Sequence, residues 1–111
     1  MSSMASLRAS PILGGYGAAK AALNGIVRSI AVEWGSSNIR ANAIAPSVVR
    51  TSFSKPLWSG PEREKALISR IPVKKIADAD DIVGAAILLA SPAGSYISGQ
   101  VLLIDGGRSI T

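Results

Sequence analysis

The sequence predicts an α/β fold with two short parallel strands and two main helices. From residue 16 to residue 34, apolar side chains recur at three- and four-residue steps, the pattern of an amphipathic helix. Two short apolar segments, at residues 39–45 and 99–105, have the composition of strands. Because helix and strand patterns alternate along the chain, we expect the two strands to run parallel.

The composition is that of one small, core-forming domain. Of the 111 residues, 48% are hydrophobic and 17% are charged, whereas disordered chains combine low hydrophobicity with high charge. The chain contains no cysteine and no histidine, so disulfides are excluded and no metal centre is expected. A reducing compartment such as the cytoplasm fits this composition.

The first half of the chain reads as loop, helix and strand. Residues 1–15 are rich in serine, alanine and glycine and predict a strand end followed by a loop. The helix at residues 16–34 should stop at Gly35, since glycine commonly terminates helices. The segment "IRANAIA" at residues 39–45 alternates as a strand does, and Pro46 should end it.

Residues 46–77 predict a long irregular segment with a short helix near residues 62–71. The segment contains prolines and serines, but also Phe53, Leu57 and Trp58. Long loops with this apolar content are often lids over binding sites. We therefore interpret these three residues as a substrate lid, with simple core contact as the alternative.

The last third predicts a second helix and a second strand. The helix at residues 78–90 has Asp78 as its expected N-cap and Asp81 three residues later, the acidic form of a capping box. The strand at residues 99–105 is almost continuously apolar between glycines. That pattern is typical of a parallel strand covered on both faces.

The net charge of +5 and the pI near 10.1 raise the question of nucleic acid. The basic residues are scattered, however, and no aromatic residues interleave with them to stack bases. A solvated basic surface is the better interpretation, and no nucleic-acid partner is expected. No apolar run reaches the ~18 residues that a membrane span needs, and neither a secretory h-region nor a peroxisomal signal is present. We expect a cytoplasmic protein without a membrane partner.

The stretch "YGAAK" places Tyr16 and Lys20 one helical turn apart. A free tyrosine hydroxyl titrates at a pKa near 10 and is a poor base at neutral pH. A nearby ammonium and the positive end of the helix dipole both favour the phenolate. The pair could therefore act as a general acid and base without histidine. The structural alternative is an exposed tyrosine that packs on the stem of a lysine.

Ser3, Tyr16 and Lys20, in that order, resemble the catalytic set of the short-chain dehydrogenase/reductase family. Three further segments are similar to motifs of that family: "NIRANAIAP", "VVRT" and "SYISGQVLLIDGG". The segment "TSFSKPLW" is closest to carbonyl and retinal reductases and to tropinone-reductase-like enzymes. The resemblance implies the C-terminal half of a Rossmann-like doubly wound parallel sheet that lacks the N-terminal dinucleotide-binding half.

The resemblance also implies roles for individual residues. Ser3 would hydrogen-bond the carbonyl of a small substrate, and Tyr16 would donate the proton. Lys20 would favour the phenolate and hold the nicotinamide ribose of NADP or NAD, while Pro46, Val49 and Thr51 would lie along the nicotinamide. The implied reaction interconverts a secondary alcohol and a ketone or aldehyde.

Two residues depart from the family pattern, since Ala41 replaces the common valine of the first strand and Ser47 replaces a glycine, and one family motif is missing. The family usually has glycine after the proline, where this chain has Ser47, and a side chain there could crowd a tight turn. The family's glycine-rich dinucleotide fingerprint is absent, so we expect the chain alone to be inactive. The alternative is a truncated, non-catalytic module that forms homo-oligomers or pairs with full-length relatives, or that has no independent role.

Overall fold

The structure, a computed structural model, describes residues 1–9 and 12–111. Strand β1 (Ala43–Pro46) and strand β2 (Val101–Ile104) form a two-stranded parallel sheet. Ala43 lies opposite Val101, and Pro46 lies opposite Ile104. The predicted α/β class and the parallel strand direction are therefore confirmed. The part of the predicted loop at residues 10 and 11 lies outside the described residues.

Four helices accompany the sheet: α1 (Gly14–Trp34), α2 (Lys55–Trp58), α3 (Pro61–Ser69) and α4 (Asp80–Ala90). The predicted helix at residues 16–34 is confirmed as α1, which begins two residues earlier. The predicted short helix near residues 62–71 is confirmed as α3. Single 3₁₀ turns lie at Met4–Ser6, Gly35–Ser37, Pro92–Gly94 and Arg108–Ile110.

The end of α1 differs from the sequence prediction. Gly35 keeps right-handed helical angles (φ −58°, ψ −39°) and leads into the 3₁₀ turn Gly35–Ser37. The left-handed residue is Asn38 (φ 61°), whose N–H donates to the Gly35 carbonyl at 3.0 Å. Asparagine reaches this conformation more easily than other non-glycine residues. The helix ends at Trp34, as predicted, with Gly35 as its C-cap; the difference is that Asn38, and not Gly35, adopts the left-handed conformation that closes the turn.

Strand β1 begins later than the predicted residue 39. Side chains hold the segment before the strand, because Arg40 and Asn42 donate to the Ile97 carbonyl at 3.2 and 2.8 Å. These bonds take the place of a ladder, so the regular strand starts only at Ala43. Strand β2 lies inside the predicted range but is half-buried along its length, so the expected cover on both faces was wrong.

The segment predicted as a lid also builds the main hydrophobic cluster. Leu67, Ile71 and Ile76 are buried together, and Val48, Trp58 and Ile68 pack against them. Leu67 lies in α3, and Ile71 and Ile76 follow that helix. Their contacts hold residues 46–77 together. The segment predicted as a lid is therefore held by its own apolar residues.

The start of α4 uses only half of the predicted capping box. The N-cap is Ala79 rather than Asp78, and it supplies no side-chain cap. Asp81 instead reaches back, accepting the Asp78 N–H at 2.8 Å and pairing with Lys75 at 2.6 Å. The Lys75 ammonium and the Asp78 N–H hold the pKa of Asp81 below its ordinary value. Of the two predicted capping residues, only Asp81 acts through its carboxylate, which accepts the Asp78 N–H.

Helix α4 leaves Val83, Ile87 and Leu88 exposed. Its apolar length is nevertheless modest, and a bilayer needs a helix of ~20 apolar residues. In the described ranges, no helix has both the length and the apolar character to cross a membrane.

The turn after β2 depends on the carboxylate of Asp105, which accepts the N–H groups of Gly107 at 3.0 Å and Ser109 at 2.7 Å. Burial raises the pKa of Asp105, but the bonds from Ser109 and Gly107 outweigh it and leave the pKa lowered. A lowered folded-state pKa stabilises the fold above the unfolded value, and this contribution is lost as the pH falls through the folded-state pKa.

We expect Asp105→Asn to lower the free energy of unfolding by about 1 kcal/mol at neutral pH, because the neutral amide keeps one of the two hydrogen bonds but loses its charge assistance. Urea unfolding at a series of pH values measures this. The gap to the unchanged protein should close as the pH falls below about 4, where aspartate carboxyls protonate. Asp80→Asn, on the exposed first turn of α4, controls for loss of charge; an equal effect there would contradict the prediction.

Candidate functional site

Residues 1–9 lie between α1 and β1 and join the edge of the sheet by one backbone hydrogen bond. The Ser2 N–H donates to the Ile44 carbonyl at 2.8 Å. Ser2 is buried, and its hydroxyl donates to the Lys20 carbonyl of α1 at 3.4 Å. Ser2 thus ties β1 to the helix that carries two of the three predicted catalytic side chains, Tyr16 and Lys20. Its importance was missed, because two adjacent serines look alike in a sequence.

Lys20 and Tyr16 share one face of α1, as predicted. The Lys20 Nζ atom lies 5.6 Å from the centroid of the Tyr16 ring and donates to the Met1 carbonyl at 3.0 Å. Tyr16 is 39% exposed, so its ring is not enclosed in packed interior. Since an ammonium has three N–H donors, two remain for other acceptors beside the phenol.

Ser3 stands at the start of the 3₁₀ turn Met4–Ser6. Its backbone is extended, and its Oγ accepts the Ala5 N–H at 3.1 Å. Because this bond uses a lone pair, the hydroxyl proton of Ser3 is left to donate. A serine hydroxyl held in this way can donate to a carbonyl oxygen while its own rotation is limited.

Asn24 is a further residue of the site that the sequence analysis did not select. It is 3% exposed, and its Nδ2 donates to Ser6 Oγ at 2.8 Å. Ser6 Oγ in turn donates to the Ser3 carbonyl at 2.6 Å. The chain of bonds runs from the middle of α1 to the backbone of Ser3. A buried asparagine on the apolar face of an amphipathic helix was the signal that could have found it.

The three residues expected along the nicotinamide follow one another beyond β1. Pro46 is the buried last residue of the strand. Val49 forms a parallel bridge with Ala77, in which the flanking Arg50 N–H donates to Ala77 at 2.8 Å. The N–H of Val49 therefore points away from Ala77. Thr51 is exposed, and its Oγ1 accepts the Ser54 N–H at 3.2 Å.

These residues fit a nicotinamide group in chemical terms. Pro46 offers a flat apolar wall, Val49 a backbone donor and Thr51 a hydroxyl, all at the carboxyl end of a parallel strand, where α/β proteins bind such ligands. In the part of the chain that the structure describes, no group of three acidic, histidine or cysteine side chains gathers in a way that could hold a metal ion.

The three predicted lid residues divide into two kinds. Trp58 packs against the hydrophobic cluster, and its indole N–H donates to Ser54 Oγ at 3.0 Å. The Arg50 guanidinium stacks on the same indole at 5.0 Å from the ring centroid. Phe53 is 84% exposed, and Leu57 is also exposed. Trp58 thus anchors the lid, while Phe53 and Leu57 present the apolar surface.

Ser47 does not distort the turn after β1. In the described residues, positive φ angles outside glycine occur only at Asn38 and Lys74, so the conformation at Ser47 suits any residue. Its N–H continues the ladder to the Ile104 carbonyl at 3.0 Å, and its hydroxyl accepts from Arg108 at 3.2 Å. The expected crowding is not seen, because the side chain points to a polar partner.

Comparison with known proteins places this geometry among reductases. Residues 1–109 match a protein-family model described as enoyl-(acyl carrier protein) reductase. The chain is 42% identical to L-xylulose reductase of Caenorhabditis elegans over 94 residues, which are 85% of this chain and 38% of that protein. It is 36% identical to dehydrogenase/reductase SDR family member 4 of Bos taurus over 107 residues, 96% of this chain and 38% of that protein.

Solved structures agree with the sequence comparison. A gluconate 5-dehydrogenase from Burkholderia cenocepacia, in complex with NADP and tartrate, superposes with a TM-score of 0.94 at 31% identity. The superposition covers 99% of this chain and 43% of that one. The chain therefore spans less than half the length of the relatives it matches.

The contact between α1 and the 3₁₀ turn Met4–Ser6 requires glycine at position 17. A Cβ added there would lie 2.7 Å from the Ala5 carbonyl oxygen, closer than real contacts allow. Gly25, on the same helix, has open space around the same position.

We expect Gly17→Ala to destabilise the protein by about 1–3 kcal/mol, because overpacking displaces the turn that carries Ser3. Gly25→Ala should instead stabilise it by about 0.5–1 kcal/mol through helix propensity. Denaturant unfolding of both variants gives the comparison. Effects of opposite sign are the expected result, and stabilisation by both substitutions would show that α1 does not press on Ala5.

Proposed function

The chain belongs to the short-chain dehydrogenase/reductase family, and we propose that it carries the proton-transfer half of an active site that interconverts an alcohol and a ketone or aldehyde with NADP or NAD. The observation that carries this proposal is the Tyr16–Lys20 pair. The ammonium lies 5.6 Å from the ring centroid of a partly exposed phenol. It also donates to the carbonyl of Met1, two residues before Ser3.

The proton chemistry follows from these positions. In the reduction direction, Tyr16 donates its hydroxyl proton to the substrate oxygen as negative charge develops there. Ser3 donates a hydrogen bond to the same oxygen and orients the carbonyl. In the oxidation direction, the Tyr16 phenolate accepts the proton of the alcohol. The Lys20 ammonium stabilises the phenolate in both directions by charge attraction.

Lys20 also has a positioning role in this proposal. Its bond to the Met1 carbonyl fixes the ammonium between α1 and the segment that bears Ser3. The remaining two donors would hold the ribose hydroxyls of the nicotinamide nucleotide, with Pro46, Val49 and Thr51 along the ring and its carboxamide. When bound, the nucleotide supplies or accepts the hydride.

The lid completes the proposed substrate site. Phe53 and Leu57 expose apolar surface at the start of the lid, and Ser54 fixes their position through its bonds to Thr51 and Trp58. We infer that these two side chains cover the non-reacting part of the substrate. The half-buried Trp58 keeps the segment in place.

A chimera tests the proton relay in a complete active site. We expect L-xylulose reductase, with its matching segment replaced by this chain, to fold and to oxidise NADPH in the presence of a carbonyl substrate. Tyr16→Phe in the chimera should lower kcat by about a hundredfold or more, the usual contribution of general acid–base catalysis. The decrease of NADPH absorbance with time gives the rate.

Tyr96→Phe is the matched control, because Tyr96 is fully exposed. It should leave the rate unchanged. A chimera that binds NADPH but reacts equally fast with and without the Tyr16 hydroxyl would remove Tyr16 from the mechanism. The isolated 111-residue chain should show no saturable quenching or enhancement of NADPH fluorescence, since it contains no glycine-rich dinucleotide fingerprint.

A second candidate function is an oligomerisation module, favoured by the outward face of α1. Ala18, Ala22, Ile26, Ser29 and Val32 are all exposed on this helix. Val32 is 83% exposed, and the small residues would allow another helix to approach closely. We propose that this face pairs with a second copy of the chain or with a full-length relative.

We expect Val32→Glu to shift the protein towards the monomer in sedimentation equilibrium, because a charge in a helix–helix contact must be desolvated. Val83→Glu, an equivalent change on the exposed side of α4, should leave the association unchanged. If the unaltered chain is already monomeric at about millimolar concentration, where even weak association is populated, the module proposal is wrong.

A further inference from the structure

Ser54 is a buried serine between the residues that the proposed function places along the nicotinamide and Trp58 of the lid. It is 8% exposed, whereas Ser52 and Phe53 just before it are exposed. Ser54 occupies the N-cap position of α2, where a serine hydroxyl ordinarily accepts an N–H of the helix. That bond does not form at α2. The hydroxyl therefore has a different set of partners from those of a helix cap.

The partners of Ser54 occupy every hydrogen-bonding position of its hydroxyl. A serine hydroxyl has one proton and two lone pairs. The Thr51 N–H at 3.2 Å and the Trp58 indole N–H at 3.0 Å can only donate, so they take the two lone pairs. The proton goes to the Val49 carbonyl, which is its nearest acceptor. One buried oxygen thus joins Val49 and Thr51 to the lid.

The bond to Val49 fixes the peptide group between Val49 and Arg50. The carbonyl of this group accepts from Ser54, and its N–H donates to the Ala77 carbonyl at 2.8 Å. Because a peptide group is planar, hydrogen bonds at both its oxygen and its nitrogen leave it little freedom to turn. Val49 is therefore held in the orientation in which its own N–H points away from Ala77.

The same arrangement leaves the hydroxyl proton of Thr51 free to donate. Thr51 Oγ1 accepts the Ser54 N–H at 3.2 Å, which uses one of its lone pairs. The Ser54 Oγ also lies 3.2 Å from Thr51 Oγ1, but its two lone pairs are already taken by stronger geometric partners. Thr51 is exposed, so a bound molecule can supply the acceptor for its proton.

Trp58 is held by contacts that do not involve Ser54. Its ring packs against the hydrophobic cluster, and the Arg50 guanidinium stacks on it at 5.0 Å from the ring centroid. Arg50 in turn pairs with Glu64 of α3. These contacts fix the direction of the indole N–H. Ser54 therefore lies between an anchored donor on the lid and the two residues before the lid.

We propose that Ser54 is a positioning residue of the nicotinamide site, through which the anchored Trp58 orients Val49 and Thr51. Ser54 itself contacts neither nucleotide nor substrate in this arrangement. The inference rests on the proposed function, because the roles of Val49 and Thr51 belong to that function. Its consequence is selective: loss of the Ser54 hydroxyl weakens the binding of the nicotinamide end of the nucleotide and leaves proton transfer at Tyr16 unchanged.

The hydrogen bonds are tested in the complete 111-residue chain. In ¹⁵N-labelled protein, we expect Ser54→Ala to shift the indole N–H resonance of Trp58, because the indole loses its acceptor. The indole of Trp34, 51% exposed at the end of α1, is the internal control and should keep its resonance. Ser52→Ala removes an exposed hydroxyl of the same segment and should shift neither indole. An unchanged Trp58 resonance in Ser54→Ala overturns the proposal.

The functional consequence is measured in the L-xylulose reductase chimera. Ser54→Ala should raise the dissociation constant of NADPH about tenfold, the size of one lost hydrogen bond, with kcat at saturating NADPH unchanged. The binding of adenosine 2′,5′-bisphosphate, which lacks the nicotinamide and its ribose, should not change. A general loss of structure would weaken both ligands, so equal weakening of the two, or of neither, contradicts the positioning role.

Trp58→Phe provides a second variant if Ser54→Ala does not fold. It keeps an aromatic ring against the hydrophobic cluster but removes the indole N–H that bonds to Ser54. We expect the same selective loss of NADPH affinity, although Trp58 does not contact the nucleotide in the proposal. Unchanged NADPH affinity in this variant would show that the lid does not orient Val49 and Thr51.

Tyr16→Phe separates this inference from the proposed function. In the chimera, it should lower kcat and leave the affinity for NADPH unchanged, which is the opposite of the effect of Ser54→Ala. An unchanged kcat in Tyr16→Phe, together with a selective loss of NADPH affinity in Ser54→Ala, would remove the proton relay and keep the positioning role. A slow Tyr16→Phe chimera with unchanged NADPH affinity in Ser54→Ala would do the reverse.

Discussion

The site depends on the packing of residues 1–9 against the first turns of α1. This short segment has no helix of more than one turn, so its position is set by contacts with its neighbours. Ser2 bonds to β1 at Ile44, Lys20 bonds to Met1, and Gly17 allows Ala5 to approach the helix. The same lysine that stands beside Tyr16 therefore also holds the segment that presents Ser3.

The buried polar chain from Asn24 to Ser3 shows a conflict between stability and position. Ser6 Oγ uses its proton for the Ser3 carbonyl, so it can only accept from Asn24. This fixes the orientation of the amide and leaves Asn24 Oδ1 buried without a hydrogen-bond partner among the described residues. Such an acceptor costs about 1–3 kcal/mol. A leucine would pack better there, but it could not hold Ser6.

Sequence patterns were sufficient where one local rule decides the structure. The periodicity of α1, the alternation of strands and helices, and the Tyr16–Lys20 spacing each follow from the nearest neighbours along the chain. They failed where side chains replaced backbone bonds, as at Arg40 and Asn42 before β1. They also failed where a distant partner decides the role of a residue. Nothing in the sequence around Trp58 indicates that it packs against the cluster of Leu67, Ile71 and Ile76.

The positions of the basic residues are another feature that the sequence alone did not predict. Along the sequence they are dispersed, and the reading of a solvated surface follows from that spacing. The fold brings Arg8 to Arg108, whose carbonyl accepts from the Arg8 guanidinium, and Ser47 provides the Arg108 guanidinium with an acceptor. A glycine at position 47, as the family usually has, offers no side-chain oxygen. The departure at Ser47 and the position of Arg108 are therefore a single feature, in which a hydroxyl at the end of β1 directs a guanidinium towards the strand ends where the proposed reaction takes place.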